Sequence, residues 1–378
     1  MAEWYLDNSA TTPVLPEAAE KARQLMVEEF GNPSSLHTRG FRARQQVEEA
    51  RALVAGRLRA RPEEVVFTGG GTEGNNLALL GAAQARRRLG DKIVTTAAEH
   101  DSVGNAMKEL ERRGFRVSYV RPDSQGRVDP AALAEEIDEK TVLVSVMLVN
   151  NETGALLPVE GLRRVIKRKN APALLHTDGV QAFGKLDFSP AKLGVDLCTV
   201  SAHKIHGPKG VGALYIQKGA RVLPQAFGGG QERGLRPGTE GVPLIGAFGE
   251  AVRLLPKPAG VLPHIQALRD SLLEGLRGLP GVVVNSPEDG LPYIVNFSVL
   301  GLRAETVLHF LAERGVFVSA GSACGRAKPS HVLEAMGLPK ERVQSALRAS
   351  FSRFSAMEDV EALLAGLGEA RRVLASAR

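Results

Sequence analysis

Apolar residues along the chain follow two alternating rhythms. From Pro16 to Phe30 and from Thr38 to Leu58 they return every three or four positions with Glu and Arg between, which predicts two amphipathic helices. Val65-Val66-Phe67 is a short continuous apolar run, predicting a buried strand that leads into Gly69-Gly70-Gly71-Thr72; helical spacing resumes at Leu77, Leu80 and Ala83. Strands are then expected at Ile93-Val94-Thr95, Arg116 to Val120, Val142 to Val149 and Ala173 to Asp178. Helices are expected at Val103 to Arg113, Pro130 to Ile137 and Val159 to Lys169. A further apolar run, Val195 to Val200, stops at Ser201-Ala202-His203-Lys204. The alternation predicts an α/β fold, a mostly parallel sheet flanked by helices. Right-handed crossovers then place the strand C-termini, and any ligand, along one edge.

The pattern changes at Pro256-Lys257-Pro258-Ala259-Gly260, which reads as a break between domains. Beyond it come a helix from Ile265 to Leu276, strands at Val282-Val283-Val284 and Ile294 to Phe297, and a helix from Ala304 to Arg314. The run Val316-Phe317-Val318 and a last helix from Met357 to Leu374 follow. The expected organisation is a large domain over 16–255, a smaller α+β domain over 256–378, and an N-terminal segment, 1–15, packing with the small domain.

Composition narrows the field. A chain of 378 residues with 43% hydrophobic and 24% charged residues can bury a sizeable core and is not of the disordered or fibrous kind. No apolar run is long enough to cross a bilayer, and the N-terminus lacks the basic-then-apolar order of a secretory signal, so the cytoplasm is the expected compartment. The formal charge is +6, with clusters at Arg86-Arg87-Arg88 and at Arg163-Arg164 with Lys167-Arg168-Lys169. These lie on predicted helices and read as solvated faces; no aromatics are interleaved with them, so neither nucleic acid nor membrane is an expected partner. The two cysteines, Cys198 and Cys324, make no disulfide framework and no zinc pair, and no metal site is expected.

Candidate chemistry clusters at predicted strand ends. Gly69-Gly70-Gly71-Thr72-Glu73-Gly74 follows a strand and opens a helix, where approachable backbone amides and a helix N-terminus suit a phosphate. The segment also fits G-x-G-x-x-G, but the acid that a dinucleotide fold places about 20 residues on is met only loosely by Glu99, so a single phosphate is the main reading. Asp178, at the end of its strand, is suited to a protonated ring nitrogen, or to capping a helix. Lys204, crowded by small residues and His203, is suited to an unprotonated amine. A phosphate loop, an Asp and a Lys in one layer are together what pyridoxal phosphate requires. Cys324 lies among small residues in Ser319-Ala320-Gly321-Ser322-Ala323-Cys324-Gly325, an accessible setting for a nucleophilic thiolate, whereas Cys198 sits within an apolar strand.

Almost end to end, the chain resembles the cysteine desulfurases of the NifS/IscS type, class V aminotransferase-like enzymes of fold-type I that use pyridoxal 5'-phosphate. The resemblance is carried by Tyr5 to Pro13, Gly31-Asn32-Pro33-Ser34-Ser35, Phe67 to Asn76, Glu99-His100, Val149 to Gly154, Asp178-Gly179-Val180-Gln181, Ser201-Ala202-His203-Lys204, Gly228 to Gly234, Arg236-Pro237-Gly238-Thr239 and Ser319 to Cys324. It implies Lys204 as the Schiff-base lysine, and Gly71, Thr72, Ser201 and His203 around the phosphate. Thr239 is implied to reach that phosphate from the other subunit of a homodimer. It further implies Asp178 on the pyridine nitrogen, Gln181 on the ring hydroxyl, and His100 stacked on the ring as a proton carrier. Arg348 is implied on the substrate carboxylate with Asn151 and Asn32 nearby, and Cys324 as sulfur acceptor. The implied reaction converts L-cysteine to L-alanine with a persulfide on Cys324, for delivery to an iron–sulfur scaffold or a tRNA-thiolation protein. The alternatives are a selenocysteine lyase or a class V aminotransferase, and from another class a non-catalytic dinucleotide-binding module.

Two features depart from the family pattern. Between Cys324 and Pro329 stand only Gly325-Arg326-Ala327-Lys328, shorter than the IscS-like loop, and a shorter loop reaches less far toward an acceptor. The segment Arg348 to Phe354 is a variant form, and the family's cysteine-containing tail beyond it is missing.

Overall fold

The computed structural model describes residues 2–320 and 329–376. After a short strand β1 (Trp4–Tyr5), seven strands form the main sheet: β2 (Val65–Thr68), β3 (Lys92–Thr96), β4 (Arg116–Val120), β5 (Thr141–Ser145), β6 (Leu174–Asp178), β7 (Leu197–Ser201) and β8 (Gly212–Ile216). Their order is β2-β8-β7-β6-β5-β3-β4; β8 alone runs antiparallel to its neighbours. Every residue of β5, β6 and β7 is buried, as a sheet covered on both faces demands. Side chains alternate between the faces: Leu143, Leu174, Leu197 and Leu214 pack under helix Gly71–Arg86, while Val144, Leu175, Val200 and Ala213 face the opposite core. Parallel neighbours need crossovers, supplied by helices such as Asp101–Arg112, Pro130–Glu136 and Leu162–Arg168.

A second sheet, of β9 (Val282–Val284), β10 (Ile294–Val299) and β12 (Ala346–Ser350), is antiparallel in the order β12-β10-β9; β11 (Val316–Phe317) pairs in parallel with β1. Helix Met357–Ser376 packs on helices Pro258–Gly278 and Ala304–Ala312. The N-terminal segment ties the two regions together. Leu6 donates to the Phe317 carbonyl at 2.8 Å and accepts from Ser350 N at 2.6 Å; farther on, Thr12 and Leu15 donate to the carbonyls of His203 and His206, each at 3.0 Å.

Several elements differ from the sequence pattern. Gly212–Ile216 and Ala346–Ser350 carry no strand rhythm: glycines precede the first, and the second is Ala-Leu-Arg-Ala-Ser. Both are strands because neighbouring strands offer a ladder, which is tertiary context overriding propensity. The run Val142 to Val149 leaves the ladder at Ser145. Pro258 opens a helix at its first turn, where a missing N–H costs nothing, so Pro258–Gly260 lie inside a helix.

Candidate active site

At the C-terminal edge of β6 and β7 lies a cavity of about 230 Å³. Its lining includes Ser9, Ala10, Gly71, Thr72, Asn75, His100, Ser102, Met147, Asn151, Asp178, Val180, Gln181, Ser201, His203, Lys204 and Arg348. Ten of the residues singled out from sequence therefore meet in one place: Gly71, Thr72, His100, Asn151, Asp178, Gln181, Ser201, His203, Lys204 and Arg348. Asn32 is exposed and does not line the cavity; its Oδ1 accepts from Ser34 N at 2.9 Å instead. Thr239 is exposed and likewise stands apart. Cys324 lies outside the described residues. Cys198 is fully buried, and burial pushes its thiol far above the ordinary value, so it is no nucleophile. A larger open groove of about 600 Å³ runs past Arg44, Arg51 and Glu232, but there Arg51 and Glu232 already neutralise each other at 2.8 Å.

The glycine loop sits where β2 ends and the antiparallel β8 begins. A Cβ on Gly212 would meet the Val200 carbonyl oxygen at 2.6 Å and Gly70 Cα at 2.9 Å, so only glycine lets the loop settle on the strand. Gly70, at φ 138°, turns the chain into helix Gly71–Arg86, whose first amides have no intrahelical acceptors. Ser201 Oγ, at the end of β7, is buried without a partner. His203 is held well below its usual value, at about 4, by burial first and then by Lys204 and other positive neighbours; it is neutral at pH 7.

Asp178 ends β6 with both oxygens engaged: Oδ1 accepts from Val180 N at 2.9 Å and Oδ2 from Asn75 Nδ2 at 2.7 Å. The other Nδ2 hydrogen of Asn75 goes to Ser102 Oγ at 2.8 Å, which lies 2.8 Å from His100 Nδ1. Ser102 N also donates to that Nδ1 at 3.1 Å. A backbone N–H only donates, so Nδ1 is an acceptor and neutral His100 carries its proton on Nε2. Beside this chain Glu99 is fully buried. Burial raises it to about 8 although it accepts from Met147 N and Thr96 Oγ1, each at 2.9 Å, so it holds a proton at neutral pH.

Lys204 lies in a short 3-10 turn after β7, and its Nζ donates to the carbonyls of Ser9 and, at 2.7 Å, Ala10. Gln181 Nε2 donates to the same Ser9 carbonyl at 3.0 Å. Arg348, on β12, is 1% exposed; its Nη2 pairs with Asp7 Oδ1 at 2.8 Å and Nη1 donates to the Asn151 carbonyl at 2.9 Å. Arg348 Nε and Asn151 Oδ1 are buried without partners. Sequence reasoning missed Asn75, Ser102, Ser9 and Ala10. Asn75 had a signal: a polar residue on the apolar side of a predicted helix must find a partner.

The family model of class-V aminotransferases matches residues 4–363. A Clostridium botulinum protein named cysteine desulfurase IscS is 40% identical over 370 residues, covering 95% of this chain and 92% of its own. The chain belongs to the cysteine desulfurases of the class-V aminotransferase family. The desulfurase IscS 1 of Archaeoglobus fulgidus is 39% identical over 364 residues, spanning 95% of this chain and 94% of that protein. Among solved structures, a NifS-like protein superposes with a TM-score of 0.93 at 39% identity, over 98% of this chain and all of that one (100%). The desulfurase fold is thus the fold of this chain. SspA in complex with cysteine follows with a TM-score of 0.82 at 33% identity, over 94% of this chain and 100% of its own.

Proposed function

We propose that this chain is a cysteine desulfurase that uses pyridoxal 5'-phosphate to free the sulfur of L-cysteine, leaving L-alanine and a persulfide on Cys324. The observation that carries the reading is a set of buried polar atoms without partners around one cavity, Ser201 Oγ, Asn151 Oδ1 and Arg348 Nε, beside Lys204 and Asp178. Each unmet buried group costs about 1–3 kcal/mol, so the cavity favours a ligand that satisfies them. Pyridoxal 5'-phosphate and an amino acid fit this donor set. Gly71, Thr72, Ser201 and His203 would hold the phosphate, joined by the partner subunit's Thr239 in a homodimer. Asp178 would hold the ring nitrogen, Gln181 the ring oxygen and His100 the ring face. When bound, the cofactor withdraws electrons from the substrate's Cα, which makes that proton removable.

The chain's own residues do the rest. Arg348 binds the substrate carboxylate, with Asn151 beside it. Lys204 Nζ takes the Cα proton and gives one back to Cα before L-alanine leaves, and His100 moves protons through Nε2. The Cys324 thiolate attacks the substrate sulfur: an S–S bond forms, the Cβ–S bond breaks with its electron pair left on carbon, and that carbon gains a proton. The persulfide then passes to an acceptor protein, an iron–sulfur scaffold or a tRNA-thiolation protein; in sequence only Gly325 to Lys328 stand between Cys324 and Pro329, which favours an acceptor that docks closely. No helix among the described residues is long and apolar enough to cross a membrane, and the cytoplasm is the proposed compartment. With loaded protein and L-cysteine, Cys324→Ala is expected to lose sulfide formation by about 10³-fold. A variant that still released alanine and sulfide at the full rate would sink the persulfide route.

A further inference from the structure

Lys185 is a buried lysine that the proposed chemistry leaves unused. It follows Gln181 by one helical turn in sequence and is 6% exposed. Its Nζ donates to Gln181 Oε1 at 3.0 Å and stands 5.5 Å from the centre of the Tyr293 ring. Gln181 in turn donates to the Ser9 carbonyl, the oxygen that also receives Lys204. Lys204 reaches that carbonyl directly and Lys185 only through Gln181, and both lysines line a small second cavity of about 30 Å³ with His206, Tyr293 and Arg353.

An ammonium group has donors only, and an amide has a single acceptor oxygen. With Lys185 against Oε1, the Gln181 amide cannot turn over without setting its NH2 against the ammonium. One Nε2 hydrogen goes to Ser9, and the second is left for the active-site cavity that Gln181 lines. No carboxylate pairs with Lys185 among the described residues. Its charged neighbours, Lys204 and Arg348, are positive, and burial followed by their charges lowers it to about 7. A buried cation in positive company is stabilised when an anionic ligand arrives.

We propose that Lys185 is a positioning residue: it locks the Gln181 amide with an N–H toward the active-site cavity and so stabilises negative charge on the cofactor's ring oxygen. This rests on the cofactor reading above. The test is a titration of the visible absorption of the pyridoxal 5'-phosphate-loaded full-length protein, for wild type, Lys185→Met, Lys185→Arg, Gln181→Ala and the Lys185→Met/Gln181→Ala pair. Removing the positive charge should favour the protonated form of the bound chromophore. Lys185→Met is expected to raise the spectral pKa by about one unit, tenfold in proton affinity. Lys185→Arg, which keeps the positive charge, should leave the spectral pKa near wild type, and Lys185→Met should add less in the Gln181→Ala background than alone. An unchanged spectral pKa in Lys185→Met, or a shift of equal size without Gln181, overturns the proposal. If Lys185→Met does not fold, Gln181→Ala decides: the same rise supports the lock and no rise overturns it. A wild type that takes up no cofactor overturns the cofactor reading and this proposal together, a failure distinct from loaded variants with unmoved spectra.

Discussion

Two walls of the active-site cavity are assembled in different ways. On the sheet-edge wall, Gly71 and Thr72, Asp178 and Ser201 each sit at or just beyond the end of a strand of the main sheet. On the opposite wall, Ser9 and Ala10 come from the N-terminal segment and Arg348 from β12. Arg348 is joined to Asp7 at 2.8 Å across most of the sequence. The first wall is held by the sheet, so its groups are fixed whether or not the second sheet is in place. The second exists only when the N-terminal segment lies between β11, β12 and the turn carrying Lys204. The groups proposed to hold the cofactor are thus built into the rigid wall, while Arg348, proposed to grip the substrate carboxylate, belongs to the assembled one.

Breaking the assembled wall has the largest expected consequence. Arg348→Leu leaves Asp7 without its partner and should destabilise the protein by about 3 kcal/mol, the low end for a broken buried pair because Asp7 is partly open to solvent. It should also raise the KM for L-cysteine by about 10²-fold, while cofactor affinity, set by the other wall, stays near wild type. Urea unfolding and steady-state kinetics separate the two effects. A comparable loss of cofactor would show that the walls are not independent.

Asn75→Ala tests the rigid wall. It removes the donor to both Asp178 and Ser102 and should cost about 1–3 kcal/mol. Its main signature should be weaker cofactor binding with an unchanged KM, the reverse of the Arg348 pattern, read by equilibrium dialysis of pyridoxal 5'-phosphate and by kinetics.

A further prediction concerns pH. Glu99 is raised to about 8 in the folded state against about 4.5 when unfolded. Between those values the folded protein binds the extra proton, so Glu99's contribution to stability falls as pH rises from about 4.5 to about 8 and levels off above. Glu99→Gln should flatten that slope. His203 works in the opposite sense: its folded value of about 4 lies below the ordinary 6.5, so stability is lost as pH falls through that interval. Thermal unfolding followed across this range, with wild type beside Glu99→Gln, reads both limbs.

The rigid wall was the legible one. A strand, a glycine turn and a helix are local, so Gly69 to Thr72, Asp178 and Ser201-Ala202-His203-Lys204 announce themselves within a few residues, and the α/β alternation says they share an edge. The assembled wall was legible only through resemblance, since nothing local links Asp7 to Arg348. Ser9 and Ala10 contribute carbonyls, which any residue type supplies, so no side-chain pattern could have marked them. β8 and β12 escaped for a related reason: their residues are strands because of their neighbours. Asn32 shows the converse. Its motif is present, yet its place on an exposed turn keeps it off the cavity of its own chain.

Lys204, and not the buried Lys185 beside Gln181, is the amine proposed to meet the cofactor. Borohydride reduction of the yellow, pyridoxal 5'-phosphate-loaded protein, followed by peptide mass spectrometry, tests it most directly. The expected result is a phosphopyridoxyl group on the peptide bearing Lys204, bleaching of the colour, and loss of desulfurase activity in the same proportion. A label on Lys185, or a bleached protein with Lys204 unmodified, would contradict it.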